Sequence, residues 1–598
     1  MTSFFVEARA EEWFFTGGLL GLKRLYEEEI ETTPAGLLIG KELLDTLAER
    51  YFAYFLHTYN IAERDTERMN NQLQHARKKP ETSKERFGEI RKIAAEQMKK
   101  VEKYFPGTKE SEELTQLVEE MKELKDKEQI ETAAKLIDKF RNIMTADFIN
   151  EKLTLNFAKA LIISPYYGQT SFLQRSCSTL DYREHVEKMH KEIVLPAQLE
   201  IAFQEKMKRA ESVDDIKNFL DAHKEYKPFK DWLKAIKKQQ SIEEVGEWFA
   251  SNALPCSFLD DLPATMSYEE KVFLPLGIST NNASNFHWDF NKQNPMPMSA
   301  LARLILFLVP IGVAFYQRKL GSRTAGEYKQ YAGLVLLDQR FSEIYNINYQ
   351  YRSARQTGSS FSEAIIGLLA DTKERAEKKI HSYLFIEFHS DGTKKTLLDY
   401  YHMPDYCAHY IKHYGNRLKL LWLTEERDVF IRSILSGTDP KQAVFRYLRE
   451  AIKQDFHAEG AYHAVRERHR VLLLKKGVSH VEEIKKYDKR VSSVYFQGKN
   501  LRKSMIASRG NTKDAEVYKA SGKKKVDALA YRLLNAVKAG NRTAFLDTVF
   551  RLHIAEGEEL SPVFMDVLKS EGLDFETVGG AFIAGLLGKD FTKEGDEQ

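Results

Sequence analysis

Apolar residues fall three or four apart over most of this chain, the spacing of one buried helix face. Residues 12–60 read as helix, with Gly17, Gly18 and Gly21 near the first turn. Residues 61–155 are strongly charged but keep the helical period: Phe87, Ile90, Ala94, Met98, Val101 and Phe105 form one stripe. Pro106-Gly107 breaks it, and Leu114, Val118 and Met121 begin a second stripe. This spacing predicts an antiparallel helical hairpin, an arm that is either a solvated projection or a docking element for a partner. Residues 160–400 are mixed. Val272–Leu276 is a short strand candidate ahead of an Asn-rich loop. Tyr383–His389 and Thr396–Tyr401 flank Ser390-Asp391-Gly392-Thr393, whose Asp-Gly pair signals a hairpin. Helix returns over 404–470, with Asp439-Pro440 as a start signal. Four more helices are predicted near 480–506, 524–538, 541–555 and 561–588, the last interrupted at Glu571-Gly572. Gly579, Gly580 and Gly585 would let these helices approach closely.

The fold class predicted is α+β, predominantly helical. A mixed domain spans 1–400 and includes the 61–155 arm. A helical connector follows over 401–475, and a four-helix-type bundle over 476–598.

Composition narrows the function classes. With 598 residues there is ample chain for real cores, about four domain equivalents. Apolar residues at 43% and charged residues at 30% fit a soluble globular protein. Cys177, Cys256 and Cys407 lie far apart, without any C-x-x-C pair, which argues against a zinc ribbon or a disulfide framework and for a reducing cytoplasm. The opening MTSFFVEARAEEWFF lacks the basic and apolar regions of a signal peptide. The longest apolar run, Leu304 to Tyr316, is broken by Pro310 and Gly312 and falls short of the roughly 20 residues of a membrane-spanning helix.

Net charge is only +3, but it is unevenly spread. Residues 461–530 hold eighteen Lys and Arg against seven Asp and Glu, a local +11 that leaves the other 528 residues at −8. Lys499, Arg502, Lys503, Arg509, Lys513, Lys519, Lys523, Lys524 and Lys525 lie here, with Tyr495, Phe496 and Tyr518 among them. Cations that neutralise phosphates, with aromatics between them to stack on bases, point to nucleic acid and particularly to single strands.

Catalytic motifs are sparse. There is no G-x-x-x-x-G-K-[ST], no H-E-x-x-H and no G-x-S-x-G. His409 and His413 stand one helical turn apart with no third ligand nearby, which reads as an ordinary histidine pair. Arg183 and His190 give the R-x6-H spacing of some helical ribonucleases, a spacing that chance produces easily among so many Arg and His. The expectation is a protein that is not an enzyme, with no catalytic residue, cofactor or metal.

The stretches ALAYRLLNAVKAGNRTAFLDTVFRLHI and FETVGGAFIAGLLG resemble the end of the Cascade large subunit of type I-B CRISPR systems. WFFTGGLLGLKRLYEEE resembles the opening glycine-containing helix of that family, SPYYGQTSFLQRS (164–176) a central loop, and VYFQGKNLRKS (494–504) the approach to the terminal bundle. The pieces are scattered over nearly the whole chain, and their order and spacing carry the match.

The resemblance implies a non-catalytic subunit of an RNA-guided surveillance complex. It would read a protospacer-adjacent motif in duplex DNA, help to open the duplex and form the R-loop, and help to recruit a separate helicase-nuclease. Its partners would be CRISPR RNA, target double-stranded DNA, the backbone subunits, the 5′-handle-binding subunit and a small subunit that the terminal bundle resembles. It also implies that the small subunit is often made from an internal start. A start at Met505 would give 94 residues and delete most of the first bundle helix, whereas one between Val465 and Val481 would keep it. Ser299 and Ala302 occupy the slot where some relatives carry C-x-x-C.

A motif reader needs short donors and acceptors on a projecting loop. The loop Ser279–Met298 offers Asn281, Asn282, Asn285, Asn291, Asn294, Lys292 and Gln293, with Phe286, Trp288 and Phe290 as wedge candidates; turn chemistry alone also favours Asn there. Tyr166, Tyr167, Gly168 and Gln169, with nearby Gln174 and Arg175, form a second candidate. Tyr349–Arg355 is a third, with Arg352 and Arg355 as backbone contacts. Two rival readings remain open at this point: a stand-alone helical defence ribonuclease using Arg183 and His190, and a scaffold that grips guide RNA without reading DNA.

Overall fold

The computed structural model describes residues 4–167, 171–174, 177–268, 273, 296–320, 327–337, 340–371, 383–390, 396–507, 515–569 and 572–588. The chain is predominantly helical, with a few short antiparallel strands, as the sequence pattern led us to expect.

The N-terminal unit opens with β1 (Val6–Arg9) paired antiparallel to β2 (Gly36–Ile39), around α1 (Trp13–Tyr26) and followed by α2 (Leu47–Thr58). The arm then folds as α3 (Ile61–Lys78), α4 (Ser83–Tyr104), α5 (Lys109–Glu120), α6 (Ile130–Met144) and α7 (Asp147–Ala158), five helices where the periodicity predicted two. The stripe Phe87, Ile90, Ala94 and Val101 is buried, as are Leu114, Val118 and Met121. They meet Ile61, Met69, Leu73, Ile137, Phe140 and Leu153 in a core of their own. Gly107 takes φ +74° at the turn after α4, a conformation that favours glycine.

Helices α8 (Tyr182–Met189) and α9 (Leu195–Arg209) return to the N-terminal core. A small satellite of α10 (Val213–Ala222), α11 (Lys227–Ala235) and α12 (Ile242–Asn252) packs around Phe203, Ile216, Leu220 and Phe229. The two-residue strands β3 (Met266–Ser267) and β4 (Pro297–Met298) pair next. The apolar run that follows is α13 (Ala300–Phe307) and α14 (Val309–Gly312), buried except at Arg303. A Cβ on Gly18 would stand 2.2 Å from the Ile305 carbonyl oxygen and one on Gly21 2.3 Å from that of Leu308, so α1 meets this run backbone to backbone.

Strands β5 (Ala314–Leu320), β6 (Glu327–Leu336), β7 (Leu384–Ser390) and β8 (Thr396–His402) form an antiparallel meander. The hairpin read from Asp391-Gly392 is β7–β8, with Leu384 opposite His402. The middle of the sheet is buried on both faces, while Tyr328, Leu397 and Tyr400 are exposed. Ala332, Leu334, Ile386 and Phe388 face the N-terminal core, whereas Tyr331, Val335, Phe385 and Tyr401 face the C-terminal one. Period-2 alternation thus assigns the buried strand residues in turn to the two halves of the molecule.

The C-terminal core is continuous from Ala314 to Leu587. It gathers α15 (Phe341–Gln356), α16 (Phe361–Asp371), α17 (Asp405–Tyr414), α18 (Thr424–Leu435), α19 (Lys441–Lys453), α20 (Ala458–Lys475), α21 (Val481–Ala507), α22 (Ala515–Lys538), α23 (Arg542–Glu556) and α24 (Phe575–Leu587). The divisions read at 400 and 475 therefore run through one core. Helix α24 is buried on every side and packs on α19, α20, α21 and α22. The glycines explain the closeness. A Cβ on Gly585 would lie 1.9 Å from the Tyr495 carbonyl oxygen, and one on Gly498 2.3 Å from that of Phe582. Among the described residues no helix is long and apolar enough to cross a membrane.

Candidate nucleic-acid interface

The Asn-rich candidates Asn281, Asn282, Asn285, Asn291, Lys292 and Gln293, and the wedge candidates Phe286, Trp288 and Phe290, lie outside the described residues. The stem that carries them is described. Met266 pairs with Met298 and Ser267 with Pro297, and the Tyr268 amide donates to the Met296 carbonyl at 2.7 Å. Below the stem sits Glu200 of α9, only 2% exposed. Its Oε2 accepts from the amides of Ala300 (2.7 Å) and Leu301 (3.3 Å) at the start of α13. Its Oε1 accepts from the Tyr226 hydroxyl at 2.9 Å and from the Thr265 hydroxyl. One carboxyl thus joins the satellite, the stem and the buried apolar helix.

Burial pushes the Glu200 carboxyl up to about 7, against the pull of its four donors. Above the ordinary 4.5 the unfolded chain releases this proton while the folded chain keeps it, so stability from this group is present at low pH and lost as pH rises to about 7. Denaturation midpoints measured across pH 4.5–7 should fall with pH, and Glu200→Gln should flatten that part of the profile.

The second candidate segment is corrected at Tyr167. Its ring is fully buried, 4.8 Å from that of Phe307 and 6.0 Å from that of Phe273, and its hydroxyl donates to the Phe307 carbonyl at 2.6 Å. A side chain so enclosed cannot touch DNA; it belongs to the core. Gly168, Gln169 and Arg175 lie outside the described residues. Buried lysines pin the following turn: Lys152 donates to the carbonyls of Thr179 and Leu180, and Lys159 to that of Cys177. Lys159 also stands 3.0 Å from His185 Nε2. Burial pulls Lys159 down to about 8 and, with that cation beside it, His185 down to about 4, so this histidine is neutral near pH 7.

Arg352 and Arg355 are corrected as well. Both are buried on the inner face of α15, at 9% and 7% exposure. Arg352 donates to the Ile311 carbonyl at 3.2 Å, and Arg355 lies 3.7 Å over the Tyr316 ring and donates to the Ser359 carbonyl at 2.8 Å. They hold the fold and are withdrawn from any phosphate.

The basic segment divides by residue type. Its described arginines pair with carboxylates of the fold. Arg468 binds Asp439 and Asp574, Arg470 binds Glu467 and Asp488, and Arg490 binds Asp566. Arg502, 6% exposed, donates to the Leu586 carbonyl at 3.1 Å and faces Asp455, so its assignment to a nucleic-acid backbone is corrected too. Asp439, Asp455, Asp566 and Asp574 all lie outside 461–530, so folding neutralises part of the +11 that the linear count gives. Lysines remain outside: Lys503, Lys524 and Lys525 are exposed and Lys499 is half-buried. Arg509, Lys513 and the side chain of Lys523 lie outside the described residues.

Aromatics sort the same way. Tyr495 is buried with its ring 4.3 Å from that of Tyr462, while its neighbour Phe496 is 53% exposed. Tyr531, also 53% exposed, was not among the sequence candidates; it lies on the same face of α22 as Lys524 and Lys538.

The His409 and His413 rings lie 4.4 Å apart, and no group of three His, Cys, Asp or Glu side chains arranged to hold an ion occurs among the described residues. Ser299 instead caps α13, its hydroxyl accepting from the Ala302 amide at 3.1 Å. Arg183 is exposed in the first turn of α8 and His190 half-buried just beyond its end. Compared with family models, curated proteins and solved structures, the chain matches none.

Proposed function

We propose that this chain is the non-catalytic large subunit of a type I-B CRISPR RNA-guided surveillance complex. It works in the cytoplasm, checks the protospacer-adjacent motif in duplex DNA, helps to open the duplex and form the R-loop, and helps to recruit the helicase-nuclease. The support, beyond the sequence resemblance, is the sorting of cations in the C-terminal core: arginines are spent on internal pairs while lysines and two aromatics are presented outward on α21 and α22. Such a face holds phosphates loosely and positions without specifying. The Asn-rich loop, carried on a stem fixed through Glu200, is the proposed motif reader, with Phe286, Trp288 or Phe290 unstacking the adjacent base pair at a cost of a few kcal/mol. Guide RNA then reads the sequence by base pairing, the division of labour of RNA-guided effectors.

The test is co-expression with neighbouring subunits and a guide RNA, followed by titration with duplexes that differ only in the bases flanking the target. Affinity should depend on those bases, and replacing Asn281, Asn282 and Asn285 by Ala should erase the dependence. Affinity indifferent to the flanking bases would leave the RNA-gripping scaffold as the better reading. Guide-independent RNA cleavage that is lost in His190→Ala would favour the ribonuclease.

A further inference from the structure

Helices α21 and α22 carry solvent faces of like composition. On α21 it reads Lys489, Ser493, Phe496, Asn500, Lys503; on α22 it reads Lys524, Ala528, Tyr531, Asn535, Lys538. Each residue of the second set is thirty-five positions after its counterpart, and all ten are exposed. The steps of four, three, four and three keep each set on one side of its helix, over about 21 Å of axial rise.

Of the buried pairs at this offset Val491 and Val526 are also alike, but the others differ. At the same offset Tyr495 stands against Ala530, Gly498 against Leu533 and Arg502 against Val537, each fitted to different neighbours. Core packing therefore does not by itself account for the likeness of the outer faces.

We infer that Phe496 and Tyr531 are paired stacking platforms for single-stranded nucleic acid, each flanked by lysines for its phosphates and an asparagine for a base edge. This deepens the function proposed above and rests on it for the source of the strand. Both rings are 53% exposed, so about half of each is open to a ligand. Side chains on a helix lean toward its N-terminus, so each ring lies over the turn that carries Ser493 or Ala528, and a small residue there leaves a ring face open. Lysines stand two turns to either side, about 10 Å along the axis, and supply point charges for phosphates. The asparagine one turn on both donates and accepts, which suits a base edge. No acid occurs among the ten. Protein interfaces are depleted in lysine, whereas a single strand offers an anion and an accessible π-face with every nucleotide. A duplex keeps its bases stacked inside and cannot use the rings.

The experiment titrates the purified full chain with a short fluorescent single-stranded oligothymidylate. Phe496→Ala and Tyr531→Ala should each weaken binding about tenfold, the range of one lost stacking contact, with the salt dependence unchanged. Phe496→Trp and Tyr531→Trp should restore it, which separates stacking from damage to the fold. Lys489→Gln with Lys503→Gln, or Lys524→Gln with Lys538→Gln, should flatten the salt dependence. Tyr328→Ala, at another exposed aromatic, should change nothing. The inference is overturned if the Ala variants bind as the parent does, if they weaken a duplex as much as the single strand, or if they release a co-purifying protein while oligonucleotide binding stays intact. Loss of flanking-base dependence in the complex, with the ring effects intact, would remove the surveillance reading and leave the platforms standing. The reverse result would remove only the platforms.

Discussion

Glu387→Ala is expected to cost about 3 kcal/mol of stability, read as a lower denaturant midpoint, because it takes the buried carboxylate from two guanidiniums and leaves Arg432 with a single distant partner. Glu387 is fully buried on β7. Arg318 of β5 and Arg432 of α18 each reach it at 3.1 Å, and the Tyr316 hydroxyl donates to it at 2.7 Å. Burial alone would raise its pKa, yet the two guanidiniums hold the carboxyl below its ordinary value. Without the carboxylate, Arg318 keeps Asp399 at 2.6 Å, but Arg432 keeps only Asp428 at 3.8 Å. Glu387→Gln preserves the shape and the acceptor for Tyr316, so it should lose less than Glu387→Ala. Equal losses would mean that packing, not charge, holds the sheet to α18.

The second large effect is at Arg468. Only 3% exposed, it donates to both Asp439 oxygens, to Asp574 at 2.8 Å and to the Thr577 hydroxyl at 3.0 Å. It thereby ties α20 to the turn before α19 and to the first turn of α24. Arg468→Ala should cost about 3 kcal/mol, the lower end for a broken buried pair, because both aspartates keep over a quarter of their side-chain surface in water. Partial burial would raise the Asp574 pKa, but Arg468 drives it well below the usual 3.8. Its contribution to stability is present above pH 3.8 and lost as pH falls through the depressed value. Arg468→Ala should therefore remove part of the acid sensitivity of unfolding as well as lower the midpoint at neutral pH.

The helices were legible because their buried faces obey one period, from Phe87–Val101 in the arm to the glycines of α24. The arm was undercounted where Lys79-Pro80 and the 124–129 turn separate helices that the charged composition blurs together. Tyr167 was misread because a tyrosine beside Gly168 and Gln169 resembles a loop tip, and nothing local shows that Phe273 and Phe307 enclose it. Arg352 and Arg355 were more legible than that. They continue the spacing of Ile344, Asn348 and Tyr351, so the helical period already placed them on the inner face of α15. The charge count misled for a different reason: a window along the chain cannot see that Asp439, Asp455, Asp566 and Asp574 come from outside it to meet its arginines. Tyr531 escaped notice because it sits just past the window, although self-comparison of the sequence at an offset of thirty-five would have aligned it with Phe496.

The place of α24 has a consequence for synthesis. It follows all of its helical partners in chain order, yet it lies at their centre. Domains commonly fold as they leave the ribosome, N-terminal ones first. Here the apolar faces of α19 to α22 must wait, uncovered, until residues 575–587 arrive. A nascent chain stalled before Phe575 would expose those faces, making it a strong client for chaperones and proteases, while the arm, with its own core, could already be folded.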